Sequence, residues 1–207
     1  MIAESAAKFR YDDERHEYWL GNQKLPHWTK IYDPYWKMEA IKIDPNILEE
    51  KREWGDISHQ YLEAYNRGTL DIDAIPDGVI EDKYNIKALV TNWDRESSNN
   101  LYVASSVEYP TFSRKYLYGV KIDLTVGNGV HEYKSRPPKN KDGVQLAGQA
   151  QAAFEEGLIS NLDTVVLMSH HFDKMGNFTH HKKWDFKSNF NIFLNLLSAY
   201  NFFLGNK

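Results

Sequence analysis

A chain of 207 residues, 42% hydrophobic and 14% aromatic, has ample apolar side chains for one packed domain, which excludes a disordered protein. It has no cysteine, which excludes disulfides, thiolate zinc sites and cysteine-ligated iron–sulfur clusters. The formal charge of −4 gives no support to a nucleic-acid coat protein.

Residues 8–36 are rich in aromatic side chains and indicate a small β-element with a turn at Gly21-Asn22. Aromatics interleaved with Lys30 and Lys37 would suit stacking on unpaired bases, but packing within the protein is the interpretation that we favour.

A helix is predicted over residues 45–66, because Asp44 is a good N-cap and proline is favoured at the first helical position. Gly55 and His59 are four residues apart and therefore face the same way. Glycine inside a helix costs about 1 kcal/mol against alanine, which suggests close approach by another backbone or by DNA. For His59 alone, a structural role is the favoured interpretation.

The remaining elements follow in chain order. Predicted are a helix over 79–95, a strand over 101–109 that ends at Glu108 before Pro110, a hairpin, a helix over 144–156, strands over 164–172 and 178–184, and a helix over 186–204. In the helix over 144–156 the apolar side chains are expected to face inward, with Gln145 and Gln149 together on another face. The inward residues are Leu146, Ala147, Ala150, Ala153 and Phe154.

The hairpin carries two carboxylates and an ammonium group. A two-residue turn at Asn128-Gly129 would set Asp123 opposite Lys134, and one at Gly127-Asn128 would set it opposite Glu132. Either turn places all three on one face, because residues two apart in a strand share a face. A three-residue turn would move Asp123 to the other face.

Two carboxylates about 4 Å apart repel by roughly 4 kcal/mol at an effective dielectric near 20. A divalent cation relieves this repulsion better than Lys134 does, and Mg²⁺ prefers one or two carboxylates, several waters and phosphate oxygens. A lysine beside such a metal can hold the attacking water and stabilise developing charge, which is the chemistry of phosphodiester hydrolysis. The alternative is a surface hairpin with a cross-strand salt bridge.

A basic loop is predicted directly after the hairpin. It contains Arg136, Lys139 and Lys141, and the prolines at 137 and 138 exclude a regular β-ladder there. We regard DNA binding and simple solvation as open alternatives for this loop.

The order of elements, together with these residues, resembles the PD-(D/E)xK nuclease superfamily, in particular its RecB-like, phage-type exonucleases. The matching motifs are Gly55 to His59 (G-x-x-x-H), Glu108 (an acid on the first strand), Gly119 to Asp123 (G-x-x-x-D), Glu132 to Lys134 (E-x-K) and Gln145 to Ala147 (Q-L-A). The segment from Phe9 to Thr29 is similar to the leader of such proteins. Gln149 stands where the family often has tyrosine, and His27-Trp28 where a Ser-Val pair is usual.

The resemblance implies a restriction-endonuclease-like α/β (α+β) core, a mixed central sheet flanked by helices, in one domain over 1–207. The parts are a β-rich decoration (1–36), a catalytic core (45–185) and a C-terminal docking helix (186–207). Asp123 and Glu132 would ligate Mg²⁺ or Mn²⁺ with the Tyr133 carbonyl, while His59 completes the shell and Glu108 reaches it through water. Lys134 would activate the water, and Gln145 would position the phosphate or the lysine.

Substrate contacts are expected from Gly55, Arg136, Lys139, Lys141 and Gln149. The implied activity is a metal-dependent exonuclease on double-stranded DNA ends, in recombination or repair, with no iron–sulfur cluster. Single-stranded DNA, a single-strand annealing protein and a ring-shaped homo-oligomer are further partners by analogy. With no secretory signal at the start and no apolar run of membrane-spanning length, we expect a cytoplasmic protein of a bacterial host, encoded by a phage or prophage.

Two other classes of function are open on the sequence. One is a non-catalytic DNA-binding or assembly module of the same fold. The other is a zinc hydrolase built on histidines of the last two strands, of which at most one from each adjacent pair can join a given site. These histidines are His170, His171, His180 and His181.

Overall fold

The computed structural model describes residues 7–40, 44–78 and 84–204, with the backbone alone for 35–40. In these ranges the chain is a mixed α+β protein with five helices, a five-stranded mixed sheet and a three-stranded antiparallel sheet. The helices are α1 (Trp28–Ala40), α2 (Pro45–Asn66), α3 (Ile86–Asn100), α4 (Asn140–Glu156) and α5 (Phe186–Phe203). The strands are β1 (Phe9–Asp12), β2 (Glu17–Leu20), β3 (Gln23–Leu25), β4 (Ala104–Ser113), β5 (Tyr118–Val126), β6 (Gly129–Lys134), β7 (Val166–Phe172) and β8 (Phe178–Trp184).

The larger sheet has the strand order β4-β5-β6-β7-β8. Only β6 and β7 pair in parallel among these strands, and α4 makes the crossover that a parallel pair requires. Helix α4 packs against the sheet through an alanine-rich face, and α5 covers α4 so closely that a Cβ at Gly148 would lie 2.5 Å from the Phe193 ring. A second apolar cluster on α2 and α3 includes Trp93 and Leu62, both fully buried.

The predicted order from residue 45 onward is confirmed: two helices, three strands, a helix, two strands and a helix. Helix α2 has the predicted bounds, and the Asp44 side chain accepts the Asn46 N–H at 2.8 Å as its cap. The β-element over 8–36 is wrong in its second half, because the strands end at Leu25 and residues from Trp28 form α1. Several of these aromatics instead share one helix, where Trp28 stacks on Tyr32.

The prediction that the first long strand ends at Glu108 is also wrong. Strand β4 runs through Pro110 to Ser113. Proline has no N–H to donate, but an edge strand such as β4 has a neighbour on one side only and can therefore accept it. Its predicted start fails too, since Leu101 adopts φ 54° as the C-cap of α3.

The boundaries of two helices and the exposure of one side chain differ from the predictions. Helix α3 begins at Ile86 after the Asn85 cap and ends at Asn100, while residues 79–83 of the predicted helix lie outside the described residues. Helix α4 begins at Asn140, so Lys141 belongs to this helix rather than to the basic loop. Phe154, expected inside, is 41% exposed near the end of α4.

The three-stranded sheet docks on β5 at a glycine. Gly119 donates its N–H to the Pro26 carbonyl at 2.8 Å, and a Cβ at this position would lie 2.1 Å from Tyr18 Cγ. Contact this close requires glycine, and it brings the N-terminal sheet against the strand that carries Asp123.

The variant Gly119→Ala is therefore expected to lose about 1–3 kcal/mol of unfolding free energy or more, because overpacking forces Tyr18 out of its site. Urea unfolding followed by circular dichroism measures this loss. Gly55→Ala is the matched control, since its Cβ would meet only Ser135 Oγ at 3.6 Å, an ordinary contact inside a helix. Equal stability of the two variants would contradict the docking role of Gly119.

Within the described residues, no helix is both long enough and apolar enough to cross a bilayer.

Candidate metal centre

The hairpin has the second of the two registers considered above. The pairs Val126↔Gly129 and Leu124↔His131 leave Gly127 and Asn128 as a two-residue turn, with Gly127 at φ 53°. Asp123 therefore lies opposite Glu132 in register, and the three-residue turn does not occur.

The regular β5–β6 ladder ends just before this pair. Beyond Leu124↔His131 the Asp123 side chain accepts the Tyr133 N–H through Oδ2 at 3.0 Å. The Asp123 carboxylate thus takes the place of a backbone acceptor, and this hydrogen bond orients the Asp123 side chain. Strand β6 continues on its other edge by pairing with β7, as in Glu132↔Ser169.

Three elements bring a histidine and two carboxylates together. His59 on α2 has its Nδ1 atom 3.3 Å from Glu108 Oε1 on β4 and 3.8 Å from Asp123 Oδ2 on β5. One ligand atom from each residue lies within 4.8 Å of the other two, so this group could hold a metal ion. No other such group occurs among the described residues.

Glu108 has an unusual backbone conformation for a residue in a strand. Its φ is 47°, a left-handed conformation that costs a residue with a Cβ about 1–3 kcal/mol and that clusters at functional sites. The side chain contacts His59 and also Lys121, whose Nζ lies 3.0 Å from Oε2. The strain is therefore located at the proposed ligand itself.

Burial and neighbouring charges act in opposite directions on the pKa values of these three residues. Burial raises the pKa of Asp123, although the charge of His59 opposes this. Burial acts against protonation of His59, but the charge of Asp123 and the bond to Glu108 raise the pKa of the imidazole to about 9. Burial likewise disfavours ionised Glu108, but His59 and Lys121 hold the pKa of Glu108 below its ordinary value. A bound dication would take over the role of the imidazolium charge.

Glu132 and Lys134 form an ion pair that lines the same cleft. Glu132 is 1% exposed, burial raises its pKa to about 8, and its Oε2 atom has no hydrogen-bond partner. Lys134 also donates to Gln145 Oε1 at 3.3 Å. Glu132 does not belong to the compact group of three, so its predicted metal contact stays a prediction.

A cleft of about 570 Å³ joins these groups. Its walls carry His59, Glu108, Asp123, Glu132, Lys134 and Gln145. Carboxylate oxygens and one imidazole form a donor set that suits Mg²⁺ or Mn²⁺, and the unpartnered Glu132 oxygen adds an acceptor in need of a cation or a donor. The residues present therefore fit a divalent cation.

Of the residues predicted to contact substrate, Gln149 lines the cleft and the others do not. Gln149 lines the cleft with its Nε2 donating to the Lys121 carbonyl at 3.1 Å and its Oε1 atom unpartnered. Arg136 forms a two-point ion pair with Asp142, so it holds the start of α4. Gly55 faces Ser135, and no backbone of the described chain approaches it closely. The Tyr133 carbonyl and the exposed Lys139 stay predictions.

Sequence reasoning missed the part of the cleft built by Lys121 and the N-terminal sheet. Lys121 Nζ bridges Glu108 and Asp13, the latter at 3.4 Å, while His16 and His27 also line the cleft. The signal for Lys121 was available, because it stands two residues before Asp123 and so shares its face.

The zinc alternative gains no support from the four histidines of the last strands. His170 Nδ1 lies 2.8 Å from His181 Nδ1, and His170 Nε2 lies 2.9 Å from His131 Nδ1. These are hydrogen-bond distances in a row of rings, and none of the four belongs to the group of described residues that could hold a metal ion. His171 is bonded to the Arg136 carbonyl at 2.6 Å, and His180 is exposed.

The two buried histidines of this row, His131 and His170, predict acid sensitivity. Burial lowers the pKa of His131 to about 4 and that of His170 well below its ordinary value. A histidine whose pKa is lower in the folded chain stabilises fully above its unfolded pKa of about 6.5 and loses that contribution as pH falls toward 4. We expect about 3 kcal/mol of unfolding free energy to be lost through His131 over this range.

Urea midpoints at pH 7, 5.5 and 4.5 check this expectation. The variant His131→Phe should flatten the profile, whereas His180→Phe on the exposed face of β8 should not. A profile of equal steepness in wild type and His131→Phe would contradict the role of the row.

Neither the family models nor the curated proteins that were searched contain a match to this chain.

Proposed function

We propose that this protein is a metal-dependent nuclease that hydrolyses phosphodiester bonds in DNA, with α2, β4–β6, α4 and β7 as a restriction-endonuclease-like core. The observation that carries the proposal is the convergence of His59, Glu108 and Asp123 beside the buried Glu132–Lys134 pair. Acids at this density would repel a phosphate backbone, and only a bound cation gives them a use toward it.

In this proposal His59, Glu108 and Asp123 hold the cation, with Glu132 directed into the same cleft. The cation, when bound, polarises a phosphoryl oxygen and makes water more acidic. Lys134 holds the attacking water and stabilises the charge that develops on the phosphoryl oxygens, because its ammonium group is fixed between Glu132 and Gln145. Gln145 orients that lysine, and the unpartnered Gln149 oxygen offers an acceptor to a cleft water.

The resemblance to phage-type exonucleases narrows the proposal to digestion from double-stranded ends, in recombination or repair. The proposed setting is the cytoplasm of a bacterial host with a phage or prophage gene. An annealing protein and a homo-oligomer are part of this setting by analogy alone.

The experiment compares a linear duplex with a covalently closed circle of the same sequence, in Mg²⁺, in Mn²⁺ and in EDTA. Wild type should degrade the linear duplex in either metal, spare the circle and be inactive in EDTA. Lys134→Ala should be about 10²- to 10³-fold slower. Degradation at equal rates by both proteins would indicate a contaminant and end the proposal. Binding without cleavage, unchanged by EDTA, would favour the non-catalytic module.

A further inference from the structure

A second groove adjoins the metal cleft, with a volume of about 450 Å³. Its walls present aromatic, amide and basic groups, namely Trp28, Tyr32, Trp184, Asn140, Asn189 and Lys141. No carboxylate occurs among the described side chains that line it, in contrast to the acidic cleft beside it. We call it the aromatic groove.

Two elements connect the aromatic groove to the metal cleft. Trp28, at the start of α1, lines both. On α4, Lys141 lines the groove and Gln145 lines the cleft, and residues four apart are neighbours on one face of a helix. The groove and the cleft therefore lie next to each other along α4.

Trp184 is a fixed platform in this groove. Its Nε1 donates to Ser169 Oγ at 2.8 Å, and its ring packs so closely on Gly143 that a Cβ there would lie 2.6 Å from ring atom Cε3. Lys182 covers the ring with its Nζ 3.9 Å from the centroid. Lys141 is placed in the same way over Tyr32, at 4.8 Å.

A lysine resting on an aromatic ring suits a nucleotide ligand in two ways. The lysine stem is long and flexible, so a base can take its place on the ring. The displaced ammonium group then stays within reach of the phosphate attached to that base. Stacking on aromatic side chains next to cationic groups is how proteins hold unpaired strands without reading sequence, and the amides of Asn140 and Asn189 can bond base edges.

We propose that the aromatic groove binds single-stranded DNA, as the continuation of the strand held in the metal cleft. The proposal rests on the proposed nuclease function for the identity of the ligand, and on the basic, carboxylate-free wall for its charge. A duplex presents its bases stacked and paired, so it cannot offer them to Trp184 and Tyr32. The groove therefore serves an overhang or the strand released by digestion.

The test measures binding of a fluorescently labelled oligothymidylate, about 15 nucleotides long, by anisotropy in EDTA, where cleavage does not occur. Trp184→Leu should weaken binding about tenfold, since one base loses its stacking surface. Tyr32→Leu and Lys182→Glu are further variants, which keep the test valid if Trp184→Leu fails to fold. The matched control is Trp19→Leu on β2, whose ring also carries cations, Arg10 at 5.4 Å and Lys24 at 5.7 Å, but lines neither cavity.

Selective weakening by the groove variants, with Trp19→Leu unchanged, supports the proposal. It is overturned if wild type does not bind the oligonucleotide, if all variants bind it equally, or if a blunt duplex competes as well as a single strand. These results are separate from the nuclease assay. If wild type cleaves DNA but the groove variants bind the oligonucleotide as tightly as wild type does, the proposed role of the aromatic groove alone is rejected. If the groove variants weaken binding but wild type cleaves DNA in no metal, the proposed nuclease function alone is rejected.

Discussion

Asp123→Asn is expected to lose Mn²⁺ binding and to cleave linear duplex at least about 10³-fold more slowly than wild type. The change replaces a charged ligand by a neutral one of the same shape in the group formed with His59 and Glu108. The amide oxygen of asparagine can still accept the Tyr133 N–H, so the local fold of the hairpin should persist. The loss should therefore come from the metal and not from unfolding.

Titration calorimetry with Mn²⁺ and the cleavage assay together check this expectation. Asp56→Asn is the matched control, because Asp56 lines the same cleft but is exposed and makes only a long contact of 3.9 Å with Arg52. The control should bind Mn²⁺ and cleave within a few-fold of wild type. Unchanged Mn²⁺ affinity in Asp123→Asn would show that the metal, if bound, sits elsewhere.

The same pair of experiments separates holding the metal from using it. Lys134→Ala should bind Mn²⁺ as tightly as wild type or tighter, since it removes a positive charge near the site while leaving His59, Glu108 and Asp123 in place. It should still cleave slowly. Loss of metal binding in this variant would mean that Lys134 supports the fold of the site rather than the attacking water.

Local chemistry allowed much of the site to be predicted from the sequence. Both two-residue turns that the sequence allows place Asp123, Glu132 and Lys134 on one face, because the side-chain period of a strand is two. The choice between the two registers came from the structure, where Gly127 takes the positive φ of the turn. The Asp44-Pro45 pair indicated the start of α2, which placed Gly55 and His59 within one helix.

Features that depend on distant contacts escaped the sequence. Glu108 adopts its left-handed conformation because contacts with His59 and Lys121 outweigh the local cost, and no neighbouring residue signals this. The ladder between β5 and β6 ends early because Asp123 substitutes for a backbone acceptor. Glu132 is opposite Asp123 in register, yet it lies outside the compact group of three.

The wrong predictions at Pro110 and at the aromatics of α1 have a related cause. Proline ended the predicted strand because a central strand cannot accept it, but whether β4 lies at the edge is a property of the whole sheet. The large aromatics that follow Trp28 favour a strand by local preference. They form a helix instead because the helix is stabilised by packing on α5, as in the stacking of Trp28 on Phe193.

Glu132→Gln should abolish cleavage and, in EDTA, make the protein more stable than wild type. Glu132 is buried with one unpartnered oxygen, and burial raises its pKa to about 8. A carboxyl whose pKa is higher in the folded chain stabilises fully below its unfolded value of about 4.5 and loses that contribution as pH rises through 8. The neutral amide removes this loss and still offers an oxygen to Lys134.

We expect the melting temperature of Glu132→Gln in EDTA to exceed that of wild type by about 2–4 °C at pH 7 for each kcal/mol recovered, with a smaller difference at pH 5 and a larger one at pH 8.5. In saturating Mn²⁺ the order should reverse, because wild type gains about 2.7 kcal/mol at a hundred times the Kd while the variant gains less. Glu63→Gln, in the same cleft but paired with Arg67 on the surface, should show neither effect.

The sign of the stability change is the informative result. A glutamate retained only for its salt bridge with Lys134 would destabilise the protein when replaced, at every pH and with or without metal. A glutamate kept for a cation costs stability until that cation is present, as expected for functional groups held in unfavourable surroundings. A variant that is less stable than wild type in EDTA at pH 8.5 would therefore assign Glu132 to the fold and leave the metal to His59, Glu108 and Asp123.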